Sequence, residues 1–400
     1  MNSQIQEFSR QSLLASNSTL RQIAPGMIEP TPLQQIRRTY VRLRGRELIY
    51  FAGCDYFRLS SHPEVLKAVA VGLKKFGLNV AASRRTSGNH VAYLTLERQL
   101  ARFYGAEAAL VVSTGYLTNL AVAQALARHF SHALIDEKSH LSPADASQFF
   151  NCPILKFKHR DVESFSRTLQ RCGRGARPVV LTDGMFSGDG SVAPLRAYLK
   201  LLPRDGLLIV DDAHGGGTIG EHGGGAVELE GVDRKRILTC VTLSKALGCY
   251  GGAIICSKRL RAKIAQRSSI FIGSTPLPLP LAHAATVALN ILRRDKSLRR
   301  RLNRNVSFMK DSLRRAGMHL PDAPGPMIQF CLHTAAQNRR LRRALLAAGV
   351  YPSLIEYPGG PAGGYFRFVF SSEHTEAQLR KLIRVLTPFI PLTSAPNASP

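Results

Sequence analysis

"GLLIVDDAHGGG", residues 206–217, is the stretch whose reading decides the fold. Leu207 to Val210 run apolar without alternating polar residues, which is how a strand covered on both faces reads. Two acids, a histidine and three glycines follow at once. In an open α/β sheet, ligands meet the chain where a buried strand ends and a loop leads into a helix. Similar runs recur as "AALVVS" (108–113), "PVVLTDG" (178–184), "ILTCVTLS" (237–244) and "GAIICS" (252–257). Between them lie amphipathic segments: "VLKAVAVGLKKFG" (65–77), "TLERQLARFYG" (95–105) and "LTNLAVAQALARHF" (117–130). The alternation predicts an α/β fold with a mostly parallel central sheet and helices on both faces.

At 400 residues the chain exceeds what one core usually serves, so two lobes are expected. From Leu281 the texture changes, and residues 281–317 read as one long helical pattern leading into a smaller α+β segment that ends near Phe389. We expect an N-terminal arm and small-domain segment at 1–50, the arm helical over its first 25 or so residues. A large domain at 51–285, a C-terminal small α+β domain at 286–390 and a flexible tail at 391–400 follow.

Lys and Arg number 54 against 27 acids, a formal charge of +27. Such a field attracts polyanions. The arginines recur among Leu, Val and Ala at helical spacing, as solvated faces do, and no nucleic-acid-binding signature accompanies them. Nucleic acid is therefore not the expected partner, whereas a phosphate-bearing thioester or an acidic carrier protein would gain from the same charge. The seven cysteines contain no C-x-x-C pair, so neither a disulfide framework nor a metal site is expected. His129 and His132, an isolated H-x-x-H, read as surface histidines. No window approaches the ~18 apolar residues of a membrane span, and the first residues lack a secretory pattern. The cytoplasm is the expected location.

Four strand ends carry chemistry. A carboxylate leaving a buried strand, as at Asp211 and Asp212, needs a partner: a helix end, an arginine or a protonated ring nitrogen. "TLSKALGCYGG" (242–252) sets Lys245 just past another strand among small residues. A desolvated lysine has a lowered pKa and can form a Schiff base with an aldehyde. "VVSTGYLTN" (111–119) reads strand, turn, helix, so the N–H groups of Gly115 and Tyr116 face an anion at a helix N-terminus. "DEKSHLS" (136–142) supplies His140, whose ring can stack on a planar group. Each is weak alone; in this order, with His214 beside Asp211, they describe a site for pyridoxal 5′-phosphate (PLP), which uses a lysine and an acidic partner for its ring nitrogen.

Over about Thr39 to Phe389 the sequence also resembles the α-oxoamine synthases, PLP-dependent enzymes of fold type I. The matching pieces are "CDYFRLSSHPEV" (54–65), residues 83–119, "DGMFSGDGSVAPL" (183–195), "VDDAHGGGTIGEHGGG" (210–225), "TLSKALGCYGG" and "RFVFSSEHT" (367–375). The resemblance implies a decarboxylative condensation of an amino acid (alanine, glycine or serine) with an acyl thioester of coenzyme A or of an acyl-carrier protein. Residues 51–285 would be the PLP-binding domain. Lys245 would carry the cofactor, Asp211 would bond its ring nitrogen, His214 and Ser187 its phenolic oxygen, and His140 would stack on its ring. Thr242 would lie near the phosphate with Gly115 and Tyr116. Ser274, with Thr275 adjacent, would reach that phosphate in a partner subunit, giving a homodimer with a shared active site. Arg367 would grip the amino-acid carboxylate, with Cys54 and Tyr56 also at the substrate. Within the family the motifs lie nearest to members joining alanine to a pimeloyl thioester. Glycine-using 2-amino-3-ketobutyrate ligases, aminolevulinate synthases and secondary-metabolite synthases are the alternatives.

Several positions depart from the family pattern. Cys54 stands for Asn, Arg58 for Gly, Tyr93 for His, Val80-Ala81-Ala82 for a glycine-rich turn, and Gly216 for Thr or Ala. Most fall where the amino acid or acyl chain is expected, so they bear on the substrates rather than the cofactor. "HGGG" also occurs in esterases, but no serine stands in the G-x-S-x-G frame that such enzymes need. Ser307 and Lys310 match S-x-x-K without companion motifs. A basic, non-catalytic nucleic-acid-binding protein is the alternative of another class.

Overall fold

The apolar runs become strands whose successive side chains enter two different cores. The computed structural model describes residues 32–356 and 363–390, so the expected N-terminal arm and C-terminal tail lie outside the described residues. An antiparallel meander comes first: β1 (Gln34–Arg37), β2 (Tyr40–Leu43) and β3 (Arg46–Ile49). The central sheet comprises β4 (Ala108–Val112), β5 (His132–Asp136), β6 (Ile154–Phe157) and β7 (Pro178–Asp183). It is completed by β8 (Leu207–Asp211), β9 (Ile237–Thr242) and β10 (Gly252–Cys256). Their spatial order is β4-β10-β9-β8-β7-β5-β6.

All neighbours are parallel except the two pairs made by β10. Two reversals bring β4 back into the direction of β9. Every residue of β4, β7, β8 and β10 is buried, as unalternating runs require. On β8, Leu208 and Val210 join the core of one face while Leu207 and Ile209 join the other. Burying such a side chain is worth ~1.5–3 kcal/mol, and a one-residue slip would send each to the wrong core, so register is strongly specified. Helices Pro63–Phe76, Val91–Phe103 and Leu279–Arg294 cover one face; Tyr116–Ala125, Leu141–Gln148 and Lys258–Arg267 cover the other.

Residues 281–317 are not one helix. The pattern divides into Leu279–Arg294 and Lys296–Arg315 at Asp295, whose backbone (φ −96°, ψ 84°) leaves the helical region. Its carboxylate accepts the Ser297 N–H at 2.9 Å and so caps the second helix. Both helices are amphipathic, so the periodicity runs across the break without registering it. The first packs on Pro63–Phe76, where a Cβ on Gly72 would lie 2.9 Å from the Pro280 Cα. The expected boundary at 285/286 falls inside this first helix. The last sheet orders as β11 (Met327–Phe330), β13 (Tyr365–Val369), β12 (Leu354–Ile355), all antiparallel. The Ile49 N–H donates to Gly349 O (2.8 Å) and the Val369 N–H to Phe51 O (2.9 Å), tying the first strands to the last sheet.

This topology gathers the carboxyl ends of β4, β5, β7, β8 and β9 on one rim. Ser113 to Gly115, Asp136 to His140, Asp183, Asp211 to His214 and Thr242 to Lys245 all emerge there. Among the described residues no helix is long and apolar enough to cross a membrane.

Candidate active site

Lys245 sits in the turn that follows β9, where the chain reverses into β10. Its Nζ lies 2.6 Å from His214 Nε2. His214, beyond the end of β8, meets the Tyr56 hydroxyl through Nδ1 at 2.6 Å. Tyr56 is fully buried, and Cys54 lies within its reach. Burial, and then the nearby Lys245, holds the His214 imidazole well below its ordinary pKa. Burial also lowers Lys245, against the opposing pull of Cys54, Asp211 and Asp183. A desolvated lysine next to a neutral imidazole is poised to present an uncharged amine.

Asp211 faces the same cleft from the end of β8. Its Oδ2 accepts from the Asn119 amide at 2.7 Å and its Oδ1 from the Ala213 N–H at 3.1 Å. Among the described residues no lysine or arginine forms an ion pair with it. The Asn119 amide also donates to the Ser142 hydroxyl at 3.0 Å, which in turn donates to Tyr116 O at 2.7 Å. His140 caps the helix Leu141–Gln148, its Nδ1 accepting the Ser142 N–H, while its own N–H donates to Asp183 Oδ1 at 3.0 Å. Burial, then Asp211 beside it, pushes the Asp183 carboxyl well up. Desolvation by the cleft walls lowers His140, outweighing Asp211. Asn119 and Asp183 went unnoticed in the sequence. A polar Asn three residues into an apolar helix was the available signal, since such residues are rarely left without a partner.

The glycines have two jobs. Asp212 points the opposite way from Asp211, as strand neighbours do. Its Oδ2 accepts the Ala226 N–H at 2.7 Å, and a Cβ on Gly215 or Gly225 would fall inside its carboxylate. This acid holds the glycine-rich turn together, while Asp211 is left to the cleft. At the start of the helix Tyr116–Ala125, a Cβ on Gly115 would lie 2.7 Å from Thr242 Oγ1. Gly252 packs as closely, its Cβ position 2.7 Å from the Gly115 Cα. These contacts bring Thr242 against the turn at Gly115 and Tyr116, as expected. The Tyr116 hydroxyl itself bonds Asp145.

Arg367, on β13, donates to Ser187 O at 3.4 Å, and its buried Nε has no protein partner. Its charge acts on His214, Tyr56 and Lys245, so it faces the cleft. Ser187 joins through its carbonyl. Ser274 and Thr275 turn their polar groups elsewhere in this subunit: the Ser274 hydroxyl bonds Ile270 O at 2.6 Å, and Thr275 meets the rim only through its carbonyl, which accepts from Ser113 at 2.5 Å.

Four further readings are refined. Arg58 is 5 % exposed and lies at φ 53°, the left-handed region that suits the family's glycine; its guanidinium turns inward to Tyr50 O at 3.1 Å. Tyr93 is wholly buried and donates to Leu277 O at 2.6 Å, so it serves packing. His129 is half-buried and meets Lys263, and His132 bonds Ser131, so neither is a free surface histidine. Lys310 is buried and donates to Ala323 O (2.6 Å) and Gly325 O (2.8 Å), which leaves the S-x-x-K match without a free amine.

The pattern of the family "Aminotransferase class I and II" matches residues 47–386. An 8-amino-7-oxononanoate synthase from Hahella chejuensis is 34 % identical over 349 residues, covering 86 % of this chain and 88 % of the relative. The serine palmitoyltransferase of Sphingomonas wittichii superposes with a TM-score of 0.85 at 28 % identity, covering 95 % of this chain and 98 % of the other. A serine palmitoyltransferase from S. paucimobilis with a bound PLP–myriocin aldimine superposes with a TM-score of 0.84 at 27 % identity, covering 97 % and 96 %.

Proposed function

The chain belongs to the aminotransferase class I and II family as one of its PLP-dependent α-oxoamine synthases, and from that premise we propose that it condenses an L-amino acid with an acyl thioester, releasing carbon dioxide. The observation that carries the reading is a half-buried lysine amine and an acid that, among the described residues, forms no ion pair, facing one cleft from neighbouring strand ends. The amino acid we favour is alanine and the donor a pimeloyl thioester of coenzyme A or a carrier protein, on the strength of the 8-amino-7-oxononanoate synthase relatives. Serine with a longer acyl chain is the second reading, favoured by the higher TM-scores of the palmitoyltransferases.

The donor set fits the cofactor. Asp211 is held by neutral donors alone and so suits a cationic ring nitrogen. The helix Tyr116–Ala125 starts at Gly115, which makes no side-chain cap bond, so its first N–H groups suit an anion, while the missing Cβ lets Thr242 pack against the turn. PLP, when bound, supplies an aldehyde for the substrate amine and a ring that takes up the electron pair left at the α-carbon. Lys245 would hold it and, once released, take the α-proton on Nζ. Asp211 would keep the ring nitrogen protonated; His214 and Ser187 would bond the phenolic oxygen, and Thr242, Gly115 and Tyr116 would lie at the phosphate. His140 would cover the ring and face the developing oxyanion of the thioester. Arg367, with its unpartnered Nε, would take the substrate carboxylate, beside Cys54 and Tyr56. Ser274 and Thr275 would act across a homodimer interface, and the cytoplasm is the proposed location.

Protein mixed with PLP should develop a visible absorbance band that Lys245→Ala abolishes. With alanine and a pimeloyl thioester, carbon dioxide and free thiol should appear in equal amounts. A protein that stays colourless would sink this reading.

A further inference from the structure

Two contacts of equal length, 2.6 Å, place His214 between Tyr56 Oη on Nδ1 and Lys245 Nζ on Nε2. A neutral imidazole has one N–H and one lone pair, so these contacts are coupled. With the Tyr56 hydroxyl donating to Nδ1, the ring proton must sit on Nε2, where it is given to the lone pair of an uncharged Lys245 amine. With the hydroxyl turned away, Nδ1 carries the proton and donates to Oη, and Nε2 accepts from Lys245, for which the ammonium is the stronger donor. The direction of one O–H thus biases the charge state of the lysine: Nε2–H is compatible only with the neutral amine, the Nε2 lone pair favours the ammonium.

A second side chain competes for that hydroxyl. The Cys54 thiol lies beside that hydroxyl and also faces Lys245. Sulfur is a weak acceptor, so the hydroxyl is left to Nδ1. An asparagine amide at 54 would offer a strong acceptor in its place. The remaining charged or titratable groups around Lys245 are Asp183 on β7, Asp211 on β8, Arg367 on β13 and His140 at its helix start. Cys54 and the two acids favour the ammonium while burial and the arginine oppose it, so this balance alone does not settle the state of the amine.

Resting on the reading of Lys245 as the cofactor lysine, we propose that Tyr56, left on Nδ1 by the poor acceptor at Cys54, holds the His214 proton on Nε2 and thereby keeps Lys245 neutral and nucleophilic before the cofactor arrives. Tyr56 and Cys54 are positioning residues in this scheme, acting through His214.

The test uses cofactor-free protein and follows the rate of PLP capture by visible absorbance as a function of pH. Tyr56→Phe and Cys54→Asn should each raise the midpoint of that profile by about one pH unit, which slows capture near neutrality about tenfold. Cys54→Ala, which offers no acceptor, should leave the midpoint in place or lower it. An unmoved midpoint in Tyr56→Phe, or an upward shift in Cys54→Ala matching that of Cys54→Asn, would overturn the proposal. Cys54 is only half-buried, so the pair of changes at 54 decides the matter where Tyr56→Phe does not fold. A band with an immobile midpoint removes the relay alone; no band in the unmodified protein removes the reading of Lys245 and the relay together.

Discussion

Arg367 offers a buried Nε with no protein partner in a cleft that already holds Lys245 and His214. A charge-assisted bond to a substrate carboxylate is worth ~1.5–3 kcal/mol, so Arg367→Ala should raise the KM for the amino acid roughly tenfold to a hundredfold with PLP loading intact. Unchanged amino-acid saturation would place the carboxylate elsewhere. Asn119 gives the converse case. Asn119→Ala removes the 2.7 Å bond to Asp211, and PLP titrations should show weakening of about tenfold, the value of one such bond. At this scale Lys245, Asp211 and His214 were legible only as a set, each weak alone but together marking the ends of successive apolar runs. Asn119 and Asp183 were not: each gains its meaning from a partner dozens of residues away.

Elements carry a different kind of prediction. His374 caps its own turn, Nδ1 accepting the Ser371 N–H at 2.9 Å and Nε2 donating to Tyr50 O at 3.1 Å. Burial, and then Arg58, lowers its pKa to about 3. The unfolded chain binds a proton near pH 6.5 that the folded chain refuses until about 3. This contribution to stability is therefore complete above about pH 6.5 and is lost as pH falls, by up to ~1.4 kcal/mol per unit. Urea midpoints at pH 7 and pH 5 should differ accordingly, and His374→Gln should flatten the difference; a wild-type midpoint that rises on acidification would contradict the assignment. The glycine-rich turn offers a paired test. Gly225 (φ +80°) would drive a Cβ into the Asp212 carboxylate, whereas Gly105 (φ +61°) has nothing within 4 Å. Gly105→Ala should cost ~1–2 kcal/mol, the left-handed backbone penalty alone, and Gly225→Ala clearly more in denaturant melts. Five of the seven central strands were readable from their unbroken apolar runs; β5 (His132–Asp136) and β6 (Ile154–Phe157) were not. The break at Asp295 was not, because amphipathic periodicity continues through a capped junction.

For the whole molecule, the sites proposed to be shared between subunits require a dimer in solution. Ser274 bonds its own helix rather than the cleft, so its proposed role depends on a second copy. Sedimentation should give a dimer, and a monomer with full activity would remove Ser274 and Thr275 from the site. The charge of +27 has its own consequence. Raising salt from about 0.05 to 0.5 M shortens the Debye length several-fold, so the KM for a polyanionic thioester should rise well beyond that for the amino acid. Equal responses would show that the basic surface takes no part in donor binding.

The amino-acid order by itself determined five of the seven central strands, their alternation with helices, and the placing of a lysine, an acid and a histidine after apolar runs. Those are local properties, written in apolar runs, turn residues and spacing. Which acid of the Asp211–Asp212 pair faces the cleft, what holds His140, and how Tyr56 comes to share an imidazole with Lys245 were decided only in three dimensions. The reason is physical: a hydrogen bond between residues 56 and 214 leaves no periodicity in the chain, and it exists only once the sheet has brought its strand ends to one rim.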